Sequence, residues 1–220
     1  MIRIKICCIS SVDEAKLAIR YGADALGLVA RMPSGPGPIP DELIASIARH
    51  IHPPIASFLL TCEQSAAGII SHAQRTGTNT VQIVDELAEG TYEEIRTALP
   101  YLKLVQVIHV TGDESIEEAI RVAPQVDALL LDSGNPKASV KTLGGTGNVH
   151  NWDISRGIVR SVDVPVFLAG GLNAGNVGEA IERVQPFGVD ICSGVRTNGA
   201  LDEEKLRAFV KAARQSVQLV

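Results

Sequence analysis

The chain is poor in aromatic side chains and has no excess of positive charge. Aromatic residues make up 4% of its 220 residues, whereas hydrophobic residues as a whole make up 45%. Burial must therefore come mainly from Ala, Val, Ile and Leu. The formal net charge is −5, which offers neither a basic face for nucleic acid nor a polybasic patch for a membrane. We expect any small anionic ligand to be bound locally, by backbone N–H groups.

The chain also lacks the long apolar runs and the cysteine spacing that mark other protein classes. No apolar run reaches the roughly 20 residues that span a bilayer, and the first residues show no secretory signal pattern. The cysteines form no C-x-x-C pair and are too few for a disulfide framework in a chain of this length. They are Cys7, Cys8, Cys62 and Cys192. These absences predict a cytoplasmic protein without structural zinc.

Short β-branched runs alternate with amphipathic stretches along the whole chain, which is typical of repeated βα units around a parallel sheet. The predicted strands are Arg3–Cys7, Ala25–Val29, Ile55–Leu60, Thr80–Val84, Lys103–Ile108, Ala128–Leu131, Val166–Ala169 and Val189–Cys192. The predicted helices are Val12–Tyr21, Asp41–His50, Gln64–Arg75, Tyr92–Leu99, Ser115–Val122, Asp153–Val162, Ala174–Val184 and Asp202–Gln215. Ser11 and Asn173 are expected to cap the first and seventh helices. Eight such units favour a single (β/α)8 TIM barrel, one α/β domain over residues 1–220, rather than a doubly wound sheet.

A TIM barrel carries its chemistry at the carboxyl ends of its strands, and the first strand ends in a pair of cysteines. Strand alternation places Lys5 and Cys7 on one side and Cys8 on the other. A thiol near a cation at the barrel mouth can ionise and take a proton from carbon. The alternative is that both cysteines are small hydrophobic residues of the core.

The sixth strand ends in a carboxylate, Asp132, which interrupts an apolar run. A charge at that depth is costly unless it has a partner or a function. Such an acid can have a raised pKa and donate a proton, or it can cap a loop or accept a structural hydrogen bond. His109, just beyond the fifth strand, is the histidine that we expect to face the same mouth.

Glycine-rich turns follow the seventh and eighth strands, where these barrels commonly bind phosphate. Gly170 and Gly171 form the first turn, and Ser193 and Gly194 lie in the second. Glycine lets the backbone approach an anion closely, and a following helix N-terminus adds N–H donors. The long connection 133–151, with Lys141 and glycines within 143–147, is either a lid over a ligand or a tether.

Taken in order, these junctions resemble those of the phosphoribosylanthranilate isomerase family along nearly the whole chain. The matching segments are K-I-C at 5–7, A-D-A-L-G at 23–27, V-Q at 81–82, L-L-L-D at 129–132, L-G-G-T-G at 143–147, L-A-G-G-L-N at 168–173, and G-V-D and S-G-V within 188–195. The resemblance implies a cofactor-independent Amadori rearrangement in tryptophan biosynthesis. It turns N-(5'-phosphoribosyl)anthranilate into 1-(o-carboxyphenylamino)-1-deoxyribulose 5-phosphate and uses no metal.

The resemblance also implies roles for individual residues. Cys7 matches the general base that removes the proton from the sugar C2, and Asp132 matches the general acid that protonates the ring oxygen. Asp190 matches a substrate-binding carboxylate, and Lys5 is expected beside the thiol, where its charge favours ionisation. The residues that match the phosphate site are Gly170, Gly171, Ser193 and Gly194.

Three positions depart from the family pattern. Cys8 stands where the family usually has glycine, and Val84 stands where it commonly has histidine. The family's serine-proline-arginine turn, whose arginine grips the anthranilate carboxylate, is replaced by a turn over Met32–Pro40 that contains no arginine. Arg31 is the nearest cation, and we predict that it binds the substrate instead; the alternative is that its side chain is simply solvated.

Two alternatives to the isomerase hypothesis follow from these departures, because a fold does not fix a function. One is a related barrel isomerase that acts on another aminated phosphosugar. The other is a barrel that binds a phosphorylated ligand without catalysis. In each case the expected partner is a small phosphorylated molecule, and the chain is expected to be a monomer or a homodimer.

Overall fold

The computed structural model describes residues 1–134 and 150–216, and its centre is a closed barrel of eight parallel strands. The strands are β1 (Arg3–Ile6), β2 (Ala25–Val29), β3 (Ala56–Thr61), β4 (Thr80–Ile83), β5 (Lys103–His109), β6 (Ala128–Asp132), β7 (Val166–Leu168) and β8 (Gly188–Ile191). Each strand pairs with the next, and β8 returns to β1, where Asp190 lies opposite Lys5. The predicted (β/α)8 TIM barrel is confirmed.

Helices alternate with the strands and pack around the outside of the barrel. They are α1 (Val12–Arg20), α2 (Asp41–Arg49), α3 (Ala66–Thr76), α4 (Tyr92–Ala98), α5 (Glu114–Val122), α6 (Trp152–Ser161), α7 (Val177–Val184) and α8 (Glu203–Gln215). A short antiparallel pair, β9 (Arg196–Thr197) and β10 (Ala200–Leu201), follows β8. Across the described part of the chain, no helix has the length and apolar character needed to cross a membrane.

Local capping explains where several helices begin and end. The Oγ of Ser11 accepts a hydrogen bond from the Glu14 N–H at 3.1 Å, which confirms Ser11 as the cap of α1. The prediction for Asn173 is wrong, because α7 begins only at Val177. The Asn173 side chain instead accepts from the Gly175 N–H at 2.8 Å and closes a turn that precedes the helix.

The strands divide the core into two layers, because successive side chains point to opposite faces. The outward side chains pack beneath the helices in one large cluster. The inward side chains fill the barrel, and they are Cys7, Cys8, Ala25, Val29, Phe58, Leu60, Val84, Val105, Val107, Ala128, Leu130, Phe167 and Ala169. This alternation determines which residue at each strand end faces the mouth.

Cys8 departs from the predicted alternation, since it lines the mouth together with Cys7. The strand ends at Ile6, and the φ angle of Cys8 is +62°, a left-handed conformation that glycine adopts most easily. The backbone turns there, so the side-chain period of the strand no longer applies. The prediction that Cys8 faces away from the mouth is therefore wrong.

The same turn allows Cys8 to form a disulfide with Cys192, although the cysteine pattern argued against a disulfide framework. The two Cα atoms lie 5.9 Å apart, and the residues are separated by 184 positions in sequence. Cys7 and Cys62 are free thiols. The bond links the ends of β1 and β8, where the barrel closes.

We expect this disulfide to stabilise the oxidised protein. Replacing both Cys8 and Cys192 with serine should lower the free energy of unfolding by up to about 5 kcal/mol, because so long a loop is no longer closed in the unfolded chain. Urea unfolding of the air-oxidised double variant and of Cys62→Ser, which leaves the bond intact, measures the difference. Four reactive thiols in the unfolded wild-type protein without reductant would show that the bond does not form.

Candidate functional site

The mouth of the barrel contains one pocket that gathers most of the predicted site residues. Its lining includes Cys7, Cys8, Val29, Met32, Ser34, Leu60, Gln82, Val84, Asp132, Gly170, Gly171, Asp190, Cys192 and Ser193. Three other predicted residues, Lys5, Arg31 and Gly194, are not part of this lining. The pocket therefore joins the predicted acid, base and phosphate residues, and the three remaining residues lie around it.

Lys5 lies beneath the pocket and forms a buried ion pair. Its side chain is fully buried, and its Nζ lies 2.9 Å from Oδ1 of Asp190. Gly27 on β2 provides the necessary space, since a Cβ there would lie 2.7 Å from Cys7 Sγ and 3.0 Å from Lys5 Nζ. The glycine of the A-D-A-L-G segment thus lets the ammonium, the thiol and the carboxylate lie together.

The electrostatics of this cluster keep the ammonium charged and the thiol protonated. Burial opposes the charge on Lys5, but the neighbouring Asp190 and Cys7 outweigh it and raise the pKa of Lys5. Burial raises the pKa of Cys7 to about 11, although Lys5 acts to lower it. Lys5 thus acts in the predicted direction, yet at neutral pH the thiol of the free protein keeps its proton.

Asp132 lies at the end of β6, on the same inward face of the barrel. Its Oδ1 accepts a hydrogen bond from the Ser133 N–H at 2.7 Å. Burial raises the pKa of Asp132, and the negative charge of Asp190 raises it further. The Ser133 N–H, His109 and Lys5 act in the opposite direction without cancelling the effect of burial. This carboxyl group therefore retains its proton to a higher pH than an exposed aspartate.

Arg196 holds the backbone beside the thiol, and sequence analysis missed it. Its Nη2 donates to the carbonyl oxygens of Cys7, at 3.5 Å, and of Cys8. The same guanidinium pairs with Glu14 at 3.0 Å. Arg196 belongs to β9 and no motif marks it, so only the folded chain shows that it fixes the turn after β1.

The two glycine turns meet at the side of the pocket where phosphate is expected. Gly170 and Gly171 have φ angles of +82° and +63°, which a residue with a side chain rarely adopts. The Asn176 side chain donates to the Gly171 carbonyl at 3.0 Å and holds this turn. Gly194 of the second turn packs so closely on the first turn that a Cβ would overlap the carbonyl oxygen of Leu172.

We expect Gly194→Ala to separate the two turns and weaken phosphate binding. The added methyl group meets backbone rather than a flexible side chain, so the turns must move. The KM for the phosphorylated substrate and the Ki of inorganic phosphate should rise about tenfold, which corresponds to ~1.4 kcal/mol. Gly175→Ala is the matched control, because its Cβ would meet only the end of the Asn173 side chain, at 3.1 Å. An unchanged Ki in Gly194→Ala would contradict the assignment of these turns.

The turn after β2 forms another part of the pocket wall. Ser34, Gly35 and Pro36 line it, and Gly37 packs against Cys8, where a Cβ would lie 2.6 Å from the Cys8 Cβ. Arg31 is exposed, and its carbonyl accepts a bond from the Cys62 thiol at 3.3 Å. Among the residues that the structure describes, no arginine or lysine lines the pocket.

Two further predictions concern the long connection and metal binding. The L-G-G-T-G segment at 143–147 and Lys141 lie outside the described residues. Within residues 1–134 and 150–216, no cluster of three or more His, Cys, Asp or Glu side chains is arranged to hold a metal ion. What the described site offers is a thiol, carboxyl groups and glycine turns.

Comparison with known proteins identifies relatives that match almost the whole chain. A family model described as N-(5'phosphoribosyl)anthranilate (PRA) isomerase matches residues 4–212. An N-(5'-phosphoribosyl)anthranilate isomerase 2 of Methanosarcina mazei is 39% identical over 217 residues, with 96% of this chain and 94% of the relative covered.

Solved structures show the same barrel. The phosphoribosyl anthranilate isomerase of Thermotoga maritima superposes with a TM-score of 0.80 at 27% identity, over 98% of this chain and all of that one. A phosphoribosyl anthranilate isomerase in complex with reduced 1-(o-carboxyphenylamino)-1-deoxyribulose 5-phosphate gives a TM-score of 0.78 at 25% identity, with 98% of this chain and all of that one covered.

Proposed function

Because the chain belongs to the N-(5'-phosphoribosyl)anthranilate isomerase family, we propose that Cys7 and Asp132 act as its base and acid in that isomerisation. The observation that carries this assignment is their common placement. Both side chains face one pocket at the carboxyl ends of the strands, and the glycine turns after β7 and β8 form one side of it. A phosphate bound at these turns holds the ribose between the two groups.

The first step opens the sugar ring. Asp132 transfers its proton to the ring oxygen, and the bond from that oxygen to C1 breaks. The electron pair on the substrate nitrogen forms a double bond to C1, which leaves a positively charged iminium. Burial favours the protonated carboxyl group before this step. The protonated form of Asp132 is thus available at a pH where an exposed aspartate has lost its proton.

The second step moves a proton from carbon. Cys7 first gives its thiol proton to solvent, and the thiolate then takes the proton from C2. The electrons of the broken C–H bond form a C1–C2 double bond, and the nitrogen becomes neutral. The resulting enolamine takes a proton at C1 from solvent and gives its C2 hydroxyl proton to solvent, which yields the ketone and leaves Cys7 as a thiol. No atom is lost, as an isomerisation requires.

The charges around the pocket favour the iminium over the closed ring. The Asp190 carboxylate lines the pocket, so it can stabilise a positive charge that exists only after the ring opens. Lys5 keeps that carboxylate paired from below at 2.9 Å. The iminium adds a second positive charge near Cys7, beside that of Lys5, and so further favours loss of the thiol proton. In this assignment Lys5 acts through Asp190 and Cys7.

The function is tested by turnover of N-(5'-phosphoribosyl)anthranilate. The purified protein should consume it with saturation kinetics, followed by the change in anthranilate fluorescence as the product forms. Folded protein that does not accelerate the reaction would reject the proposed activity. Inorganic phosphate should compete with the substrate, since we assign the glycine turns to the phosphate group.

The described lining of the pocket contains no cation, and this favours a second candidate substrate. Because no arginine or lysine among the described residues lines it, a carboxylate on the aglycone has no described cation to bind. The second candidate is therefore a phosphoribosyl amine whose aglycone carries no carboxylate. The test compares kcat/KM for the anthranilate substrate with that for N-(5'-phosphoribosyl)aniline. A clear preference for the anthranilate compound excludes this candidate and supports a role for Arg31 or the 135–149 segment.

Three further predictions concern the protein as a whole. We propose that one barrel domain over residues 1–220 carries the activity, in the cytoplasm, as a monomer or a homodimer. The family match across residues 4–212 supports a single domain. Light scattering of the purified protein decides between the two oligomeric states, and fractionation of cells tests the location.

A further inference from the structure

His109 is a buried histidine at the barrel mouth that the proposed reaction does not yet use. It is the last residue of β5, and Val105 and Val107 of the same strand face into the barrel. Alternation therefore turns the His109 side chain inward as well. Its exposed fraction is 8%, and the sheet register places it directly opposite Asp132 of β6.

The hydrogen bond between the His109 ring and Val84 indicates which ring nitrogen carries a proton. His109 Nε2 lies 2.9 Å from the carbonyl oxygen of Val84. A carbonyl oxygen only accepts, so Nε2 carries the hydrogen, and in the neutral ring Nδ1 has a free lone pair. Nδ1 is buried and has no hydrogen-bond partner within residues 1–134 and 150–216. A buried acceptor without a donor is costly, so a donor in the mouth is expected.

Val84, whose carbonyl oxygen accepts the hydrogen bond from the His109 ring, occupies a position that differs from the family pattern. Val84 lies where the resembling family commonly has histidine, and it lines the pocket. In this chain β5, the neighbouring strand, carries His109, and the His109 imidazole is hydrogen-bonded to the backbone carbonyl of Val84. A histidine is therefore present in the mouth, but it comes from β5 and lies on the side of Asp132.

We propose that His109 is a positioning residue that accepts a hydrogen bond at Nδ1 from the protonated carboxyl group of Asp132 and so aims the acid. The inference rests on the proposed function of Asp132. The N–H and the hydroxyl group of Ser133 both donate to Oδ1 of Asp132, which leaves Oδ2 to carry the proton. The paired register and the common inward face bring the two side chains to the same part of the mouth.

The proton balance of this arrangement is simple. In the resting site one proton lies between Oδ2 of Asp132 and Nδ1 of His109. When the substrate is bound, the O–H of Asp132 turns from Nδ1 of His109 to the ring oxygen; the proton is transferred as the bond from that oxygen to C1 breaks, and Asp132 is left as a carboxylate. Solvent restores the proton after the product leaves. The other titratable groups of the mouth are Lys5, Cys7 and Asp190, and the segments flanking β5 add Asp85 and Glu114.

A double-mutant cycle tests whether His109 acts through Asp132. In the wild-type background, His109→Gln should lower kcat about tenfold or more, while KM and the Ki of phosphate stay within about twofold. In an Asp132→Asn background the same change should have almost no further effect, because no acid remains to be aimed. A purely structural role would lower activity in both backgrounds. The control is His72→Gln, another buried histidine beside an aspartate, Asp41, at 3.1 Å, which lies on α3 outside the barrel.

A second measurement is independent of turnover and of the folding of the His109 variant. In the wild-type protein at fixed pH, the 15N signal of His109 Nδ1 should be that of a nitrogen that accepts a hydrogen bond. Asp132→Asn should shift this signal and leave the ring signals of His72 unchanged. If the protein is inert toward the substrate but the shift occurs, the proposed activity fails and the contact stands. An Nδ1 signal that does not respond to Asp132→Asn overturns the inference.

Discussion

Replacing Cys7 with serine is expected to lower kcat/KM for N-(5'-phosphoribosyl)anthranilate by about 10³-fold or more. Serine has nearly the same size, so the packing beside Gly27 and Lys5 is retained. A hydroxyl group gives up its proton far less readily than a thiol does, so the base is lost. The steady-state rate of the purified variant, measured at saturating and at low substrate, gives the loss in kcat and in KM separately.

Two other cysteine variants make this result specific. Cys62→Ser should be as active as the wild type, because the Cys62 thiol contacts the backbone of Arg31 and is not part of the pocket lining. Cys8→Ser, assayed in reductant, separates the two adjacent thiols. If Cys8→Ser lost about 10³-fold in activity and Cys7→Ser retained the wild-type rate, the base would be Cys8.

The raised pKa of Cys7 adds a dependence on pH. Burial favours the thiol over the thiolate and raises the pKa to about 11, so the reactive fraction is small at neutral pH and grows as the pH rises. In a Cys62→Ser background without reductant, alkylation of Cys7 by iodoacetamide should accelerate about tenfold per pH unit through the alkaline range. A rate that is already maximal near pH 8 would show that the thiol is ionised in the free protein.

The repeating part of the fold could be read from the sequence because its rules are local. Each buried strand gives an apolar run, and each helix gives an amphipathic pattern. The bounds of β2, Ala25–Val29, agree with the prediction at both ends. The carboxyl ends of parallel strands meet at one mouth, so Cys7, Asp132 and Asp190 are brought together as expected.

The parts that could not be read depend on contacts between distant residues. The Cys8–Cys192 bond joins positions 184 residues apart, and it requires a left-handed turn at Cys8 that no local pattern predicts. Arg196 reaches the backbone of Cys7 from across the barrel closure. Sequence motifs give no sign of such contacts, because a motif covers residues that are close in sequence, whereas these side chains are distant in sequence and adjacent only in the folded protein.

His109 was predicted from the sequence only in part. Its position near a strand end was visible in the sequence, and the strand period placed it at the mouth. What the sequence did not show is that its ring is hydrogen-bonded to the carbonyl oxygen of Val84, just after β4, and that it lies opposite Asp132 of β6 in the sheet register. Val84 stands where the family commonly has histidine, and His109 lies on β5. That these two positions are neighbours becomes visible only when β4 and β5 are paired.

Replacing Asp132 with asparagine is expected to lower kcat by about 10²- to 10⁴-fold and to leave the binding of phosphate unchanged. The amide has the same shape but no acidic proton to give to the ring oxygen, so the ring does not open at a useful rate. Because the phosphate turns do not involve Asp132, the Ki of inorganic phosphate should stay within about twofold of the wild-type value.

The matched control for Asp132→Asn is a variant of Asp127, which directly precedes the first residue of β6, the strand that ends at Asp132. Asp127→Asn removes a carboxylate that pairs with Lys103 at 3.1 Å, at the opposite end of the barrel from the pocket. Asp127 also accepts the Leu104 N–H at 2.9 Å, so this variant should lose some stability but keep its kcat. The pair of variants separates loss of the acid from loss of a strand-end carboxylate in general. If Asp132→Asn kept the wild-type kcat, the proton for ring opening would have to come from another group, and the proposed role of His109 would fail with it.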